Sequence, residues 1–126
     1  MMGNLLIVDD EEDVLGVLSE YLTTVGYRVT PAMSGREALE RLHTAAPFDV
    51  AVVDWTLPDI CGKDVIQAIR ERQPDCCIVV TTGHSAEVVN EAYAGVVAGS
   101  IVRKPFTMRT LSTRVAMLLE KARNDR

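Results

Sequence analysis

No stretch of this 126-residue chain stays apolar for the roughly 18 residues a membrane-spanning helix needs, so no membrane role is expected. No basic segment precedes its first apolar run, so no export signal is expected and the cytoplasm is the expected compartment. Cationic excess is missing as well. Thirteen Lys and Arg stand against 18 Asp and Glu, a net charge of −5, which gives no electrostatic basis for gripping a nucleic-acid backbone. Cysteine is scarce, and Cys61, Cys76 and Cys77 contain no C-x-x-C spacing. Neither a zinc knuckle nor a thioredoxin-type redox pair is therefore available, and small buried thiols in a reducing compartment are expected. Tryptophan occurs once, as Trp55. Repeats, low-complexity tracts and linkers are absent, so residues 1–126 read as a single domain.

What is present is enough for one packed core. The chain is 48% hydrophobic and 25% charged, an ordinary globular balance. Leu5-Leu6-Ile7-Val8 is an apolar run of strand type that ends in Asp9-Asp10, with Glu11, Glu12 and Asp13 behind it. Carboxylates at a helix start gain about 0.3–1 kcal/mol each from the helix dipole, which accounts for Glu11 to Asp13 but less well for Asp9 and Asp10. Leu15, Leu18, Leu22 and Val25 then fall at helical spacing, and Gly26 is placed to end that helix. Residues 27–30 alternate as a short edge strand expected to stop at Pro31. Ser34-Gly35-Arg36-Glu37 fits a capping box, followed by Ala38, Leu39, Leu42 and Ala45 on the apolar side and His43 on the polar side.

Residues 48–53 form the next apolar run, and Asp54 ends it. Pro58 and Gly62 then break the strand pattern. Val65, Ile66 and Ile69 mark an amphipathic helix that cannot pass Pro74, and residues 77–80 are again wholly apolar, leading into Thr81-Thr82-Gly83-His84. Ser85 opens a helix carrying Val88, Val89, Ala92 and Tyr93, and a short strand is expected at residues 100–103 before Lys104-Pro105-Phe106. Leu111, Val115 and Leu118 mark the last helix.

Five strands alternating with five helices imply a doubly wound α/β fold, a parallel sheet with helices on both faces. The three wholly apolar strands belong in the middle, which favours the order 2-1-3-4-5. That order gathers Asp9, Asp10, Asp54, Thr82 and Lys104 at one edge of one sheet, with Asp54 central. Two carboxylates about 4 Å apart repel by about 4 kcal/mol at an effective dielectric near 20. The cluster therefore calls for a cation, and an all-oxygen donor set suits Mg²⁺, with Mn²⁺ as a substitute. A metal, a lysine and a central carboxylate suit phosphoryl transfer.

With these residues in view, the chain resembles the receiver domain of two-component response regulators. The matching pieces are Asp9-Asp10 after an apolar strand, Asp54-x-x-x-Pro58-x-x-x-Gly62, Thr82-Gly83-His84 and Lys104-Pro105-Phe106. The spacing from Asp54 to Thr82 is most similar to receivers of the nitrogen-regulator type. The resemblance implies that Asp54 takes a phosphoryl group from a sensor histidine kinase or a histidine phosphotransfer protein. It implies Mg²⁺ on Asp10, on Asp54, on the Thr56 backbone carbonyl and, through water, on Asp9. It further implies that Lys104 and Thr82 contact the phosphoryl group, that Gly83 leaves room beside it, and that Lys104-Pro105 is cis. Thr56 and His84 would tune how long the phosphate lasts. Such a domain switches a downstream output domain or protein, in some cases by a phosphorylation-dependent homodimer, and is not an enzyme acting on a separate substrate.

One position departs from the family. Ile101 stands where an aromatic residue is usual, and Val97-Ala98-Gly99-Ser100 replaces the usual Gly-Ala stretch before it. An isoleucine offers neither the hydroxyl nor the flat ring that relays movement of Thr82 outward. Three readings compete: a receiver that binds partners without phosphorylation, an aspartyl-nucleophile phosphatase of the haloacid-dehalogenase type, and a flavodoxin-like cofactor binder. The second needs Asp-x-Asp on the first strand, and the third needs a Gly- or Ser/Thr-rich loop after it; this chain has neither.

Overall fold

A strand whose two faces are both apolar must be covered on both sides. Residues 3–45, 47–83 and 100–124 are described in a computed structural model of the chain. In order they form β1 (Asn4–Val8), α1 (Glu12–Val25), β2 (Arg28–Ala32), α2 (Gly35–Thr44), β3 (Val50–Asp54), α3 (Gly62–Arg72), β4 (Cys77–Thr82), β5 (Ile101–Arg103) and α4 (Met108–Asn124). The sheet is parallel throughout, in the order β2-β1-β3-β4-β5. The helix expected after Ser85 lies outside the described residues, as does His84.

Alternation along each strand divides the core in two. Leu5, Ile7, Val50, Val52 and Val79 face one way and pack with Leu15, Leu18 and Leu22 of α1 and Leu111, Val115 and Leu119 of α4. Leu6, Val8, Ala51, Val53 and Val80 face the other way and pack with Ala38 and Leu42 of α2 and Val65, Ile66 and Ile69 of α3. The sheet is thus sandwiched, and its edge strand β2 is the more open to solvent, with Arg28 and Pro31 exposed.

Four local expectations are corrected. β2 runs through Pro31, which pairs with Ile7. Because β2 is an edge strand, the missing N–H costs the sheet no bond. β3 starts at Val50 because the Phe48 N–H donates to Gln73 Oε1 at 2.7 Å instead of entering the ladder. On α4, Leu119 is the buried residue and Leu118 only partly so, since 111, 115 and 119 hold the tighter i, i+4 spacing. Val25 is exposed.

Expected buried thiols also fail at one position. Cys61 is exposed, while Cys76 and Cys77 are half-buried. Burial, reinforced by Cys77 and Asp49, pushes the Cys76 thiol up to about 12, so it is inert at neutral pH.

α1 ends as its glycine foretells. Gly26 takes φ 127°, its N–H donates to Thr23 O at 3.1 Å, and the Tyr27 N–H donates to Leu22 O at 3.1 Å. This is a Schellman closure, and Tyr27 and Leu22 share the same core. The same substitution should therefore have opposite signs in one helix. Gly26→Ala should lower the unfolding free energy by about 1–3 kcal/mol, because a Cβ strains that backbone. Gly16→Ala, in mid-helix with nothing among the described residues within 4 Å of the new Cβ, should raise it by about 1 kcal/mol. Urea denaturation of both variants checks the pair.

Candidate functional site

Register builds the site. Val8 lies beside Val53, so one further residue along each strand sets Asp9 beside Asp54. Asp54 in turn lies beside Thr81, and Thr82 beside Arg103. The Lys104 N–H donates to Thr82 O at 2.8 Å, carrying the last ladder one step past the sheet. Asp9, Asp10, Asp54, Thr82 and Lys104 thereby meet at one edge.

Asp9 and Asp54 are 2% and 5% exposed, whereas Asp10 is exposed. One carboxylate oxygen from each of the three lies within 4.8 Å of the others. Lys104 Nζ stands 2.9 Å from Asp54 Oδ2, 3.3 Å from Asp9 Oδ2 and 3.6 Å from Glu11 Oε1. The remaining oxygens of the buried pair accept backbone N–H groups two residues on. Glu11 N–H donates to Asp9 Oδ1 at 2.9 Å, and Thr56 N–H to Asp54 Oδ1 at 3.1 Å. Each carboxylate is therefore oriented from both sides, by the ammonium and by its own turn.

The charges are unequal. Burial pushes the Asp54 carboxyl above the usual range, against the pull of the Lys104 hydrogen bond, the Thr56 N–H and the Lys104 charge, while Asp9 adds to the rise. For Lys104, burial alone would lower the value. The hydrogen bond and charge of Asp54, joined by Asp9, outweigh it and push the ammonium up to about 12. One ammonium among three carboxylates leaves two negative charges uncompensated. That excess, in an all-oxygen donor set open to solvent through Asp10, fits a hard divalent cation.

The loop after Asp54 is held close. A Cβ on Gly62 would come 2.7 Å from Asp54 O and 2.8 Å from Trp55 O, both rigid backbone, so only glycine fits. The Gly62 N–H donates to Trp55 O at 3.2 Å, and the Trp55 N–H to Thr81 O at 2.9 Å. Thr56 is exposed and Thr82 is buried. Among the described residues, a Cβ on Gly83 would meet nothing within 4 Å. Lys104-Pro105 is cis. Ile101, at 8% exposure, sits in the core that also holds its register partner Val80.

Two residues escaped the sequence reading. Glu11 read as helix-terminal charge, yet its carboxylate reaches Lys104. Asp59 received no role, yet it binds the backbone of α2. The signal for Asp59 was a short carboxylate directly after Pro58, a turn position at which Asp captures backbone N–H groups.

The sequence profile of the response regulator receiver domain matches residues 5–116. The chain belongs to the receiver domain family of response regulators. This receiver is 32% identical over 120 residues to the response regulator SaeR of Staphylococcus aureus, covering 95% of this chain and 52% of that protein. It thus spans about half the length of the curated relatives it matches. It also superposes on a response regulator receiver protein from Sinorhizobium medicae with a TM-score of 0.83 and 32% identity, covering 94% of this chain and 95% of that one. A third relative is the response regulator TrrA of Thermotoga maritima, solved in complex with Mg²⁺ and beryllofluoride. Its TM-score is 0.74 at 28% identity, over 91% of this chain and 97% of that one. Among the described residues, no helix of this receiver is long and apolar enough to cross a membrane.

The electrostatics give a prediction for metal-free buffer. A carboxyl whose folded value is raised favours folding only while protonated, and that contribution is lost as pH rises through the folded value. At neutral pH the Asp54 charge therefore costs stability. Asp54→Asn should raise the melting temperature in EDTA at pH 7, and the gain should shrink as the pH is lowered into the carboxylate range. Melting curves between pH 4 and 8 check it.

Proposed function

We propose that this receiver accepts a phosphoryl group on Asp54 from the phosphohistidine of a sensor histidine kinase or a histidine phosphotransfer protein, and changes partner binding as a result. The observation that carries the reading is the buried Asp54 carboxylate, central at the sheet edge, with Lys104 Nζ at 2.9 Å. The complex of TrrA with Mg²⁺ and beryllofluoride supports the same chemistry here.

Asp9, Asp10, Asp54 and the Thr56 backbone carbonyl would hold Mg²⁺ or Mn²⁺. The ion supplies charge neutralisation, without which an anionic phosphodonor is repelled from three carboxylates. The chain's own residues do the rest. An Asp54 carboxylate oxygen attacks phosphorus, the P–N bond to the donor imidazole breaks, and the imidazole nitrogen keeps the electron pair. Lys104 is held next to the attacking oxygen and follows the new charge onto the phosphoryl oxygens. Thr82, at the adjoining strand end, offers its hydroxyl to the same group. Gly83 leaves room beside the phosphate, and Thr56 and His84 tune how readily water later cleaves the acyl phosphate, returning carboxylate and inorganic phosphate. The domain thus turns over only its own modification, in the cytoplasm where such kinases present their phosphohistidine.

The acyl phosphate adds negative charge and three strong acceptor oxygens at one strand end. Charge-assisted hydrogen bonds of about 1.5–3 kcal/mol each to Lys104 and Thr82 supply the bias. A shift from 1:99 to 99:1 between two states needs about 5.5 kcal/mol, so about two to four such bonds suffice. Ile101 has no ring to relay this through the last strand, so the output runs through the loops around Thr82 and Lys104.

Intact-mass measurement tests the reaction. With Mg²⁺ and acetyl phosphate, the wild type should gain the mass of one phosphoryl group, stable to acid and labile to base. Asp54→Asn should gain none. A wild type that binds Mg²⁺ yet never gains mass would leave the phosphorylation-independent module as the better reading.

A further inference from the structure

The loop that carries Trp55 and Thr56 is fastened to a helix that contributes no residue to the site, and the fastener is Asp59. Its Oδ1 accepts the Gly35 N–H and the Ile60 N–H, each at 2.9 Å, and its Oδ2 accepts the Arg36 N–H at 2.9 Å. The first N–H groups of a helix have no partner inside it. In α2, Ser34 satisfies Glu37 through its hydroxyl at 3.1 Å and Ala38 through its carbonyl at 3.0 Å. Asp59 supplies the other two from across the chain. The Arg36 N–H above all, with those of Gly35 and Ile60, holds the Asp59 carboxyl below its usual range.

The seat is tight as well as polar. A Cβ on Gly35 would come 2.9 Å from Ile60 Cβ and 3.2 Å from Val65 Cγ2, so the loop lies directly on the start of α2. At its other end the loop is fixed by Trp55 N–H to Thr81 O and by Gly62 N–H to Trp55 O. Between these points stands Thr56, whose N–H orients Asp54.

We infer that Asp59 is a positioning residue for the cation site: by clamping the loop to α2 it sets where the Thr56 backbone stands relative to Asp54, and so sets the receiver's affinity for Mg²⁺. The inference rests on the phosphoryl-acceptor reading above. Residues that orient metal-binding groups from behind cost about 10–100-fold in metal affinity when removed. Asp59 acts through a backbone segment, which places it near the lower figure.

The test is a Mg²⁺ titration followed by the amide signals of Trp55 and Thr56 in heteronuclear NMR spectra, with melting temperatures recorded in the same buffer. Asp59→Ala should bind Mg²⁺ about tenfold more weakly than wild type. Asp59→Asn, which keeps one acceptor oxygen, should fall between them and decides the matter if the alanine variant does not fold. Ser34→Ala loosens the same helix start without touching the loop, so it should lower the melting temperature and leave Mg²⁺ affinity at the wild-type value. Unchanged Mg²⁺ affinity in the Asp59 variants would overturn the inference, as would equal weakening by Ser34→Ala. A wild type whose amides ignore Mg²⁺ would instead sink the acceptor reading itself.

Discussion

Two carboxylates buried side by side are tolerable only with a cation against them, and within this chain that cation is Lys104. The pairing of Val8 with Val53 leaves Asp9 and Asp54 no choice but to be neighbours. Lys104 arrives from the far edge of the sheet because β5 pairs with β4 and the ladder continues through its own N–H. The site is thus a consequence of strand order. An arrangement that separated β1 from β3 would set the two acids apart, and the tension would vanish.

That tension is what makes the edge chemically useful. The ammonium is too well held to lose its proton near neutrality, yet it cannot neutralise three acids. On the proposed function, a divalent cation and a phosphoryl unit would meet a place already short of positive charge, with the Asp54 carboxylate at its centre. The frame around it is rigid: apolar packing on both sheet faces, a glycine pressed on the Asp54 carbonyl, and a loop pinned at both ends. Rigidity here means that the new charge must be accommodated by the few groups at the strand ends.

Much of this was legible in the residues. Strand order followed from which runs were wholly apolar, and the meeting of Asp9, Asp10, Asp54, Thr82 and Lys104 at one edge followed from strand order. The Ser34 cap and the Gly26 closure were written in local sequence, because their bonds span only a few residues. Several of the misses share a physical cause, namely contacts between segments distant in sequence. Pro31 stays in its strand because β2 happens to be an edge. Phe48 leaves its strand because Gln73, 25 residues on, takes its N–H. Asp59 is a cap for a helix that begins 24 residues earlier. Cys61 is exposed because it immediately precedes α3 at a loop end, which composition alone does not tell.

Membership of the receiver family accounts for the scaffold and for the acidic cluster at the strand ends, while Ile101 stands at a position where the family usually carries an aromatic residue. Its side chain is committed to the core that also holds Val80, its partner across the β4–β5 ladder. On the proposed function, the Asp9, Asp10 and Asp54 cluster gathers a divalent cation and then a phosphoryl group. Trp55, adjoining Asp54 and the only tryptophan, reports on both steps. Its fluorescence should change on Mg²⁺ addition and change again with beryllofluoride, with the second change lost in Asp54→Asn. A wild type whose fluorescence is unmoved by beryllofluoride at saturating Mg²⁺ would contradict that sequence of binding events.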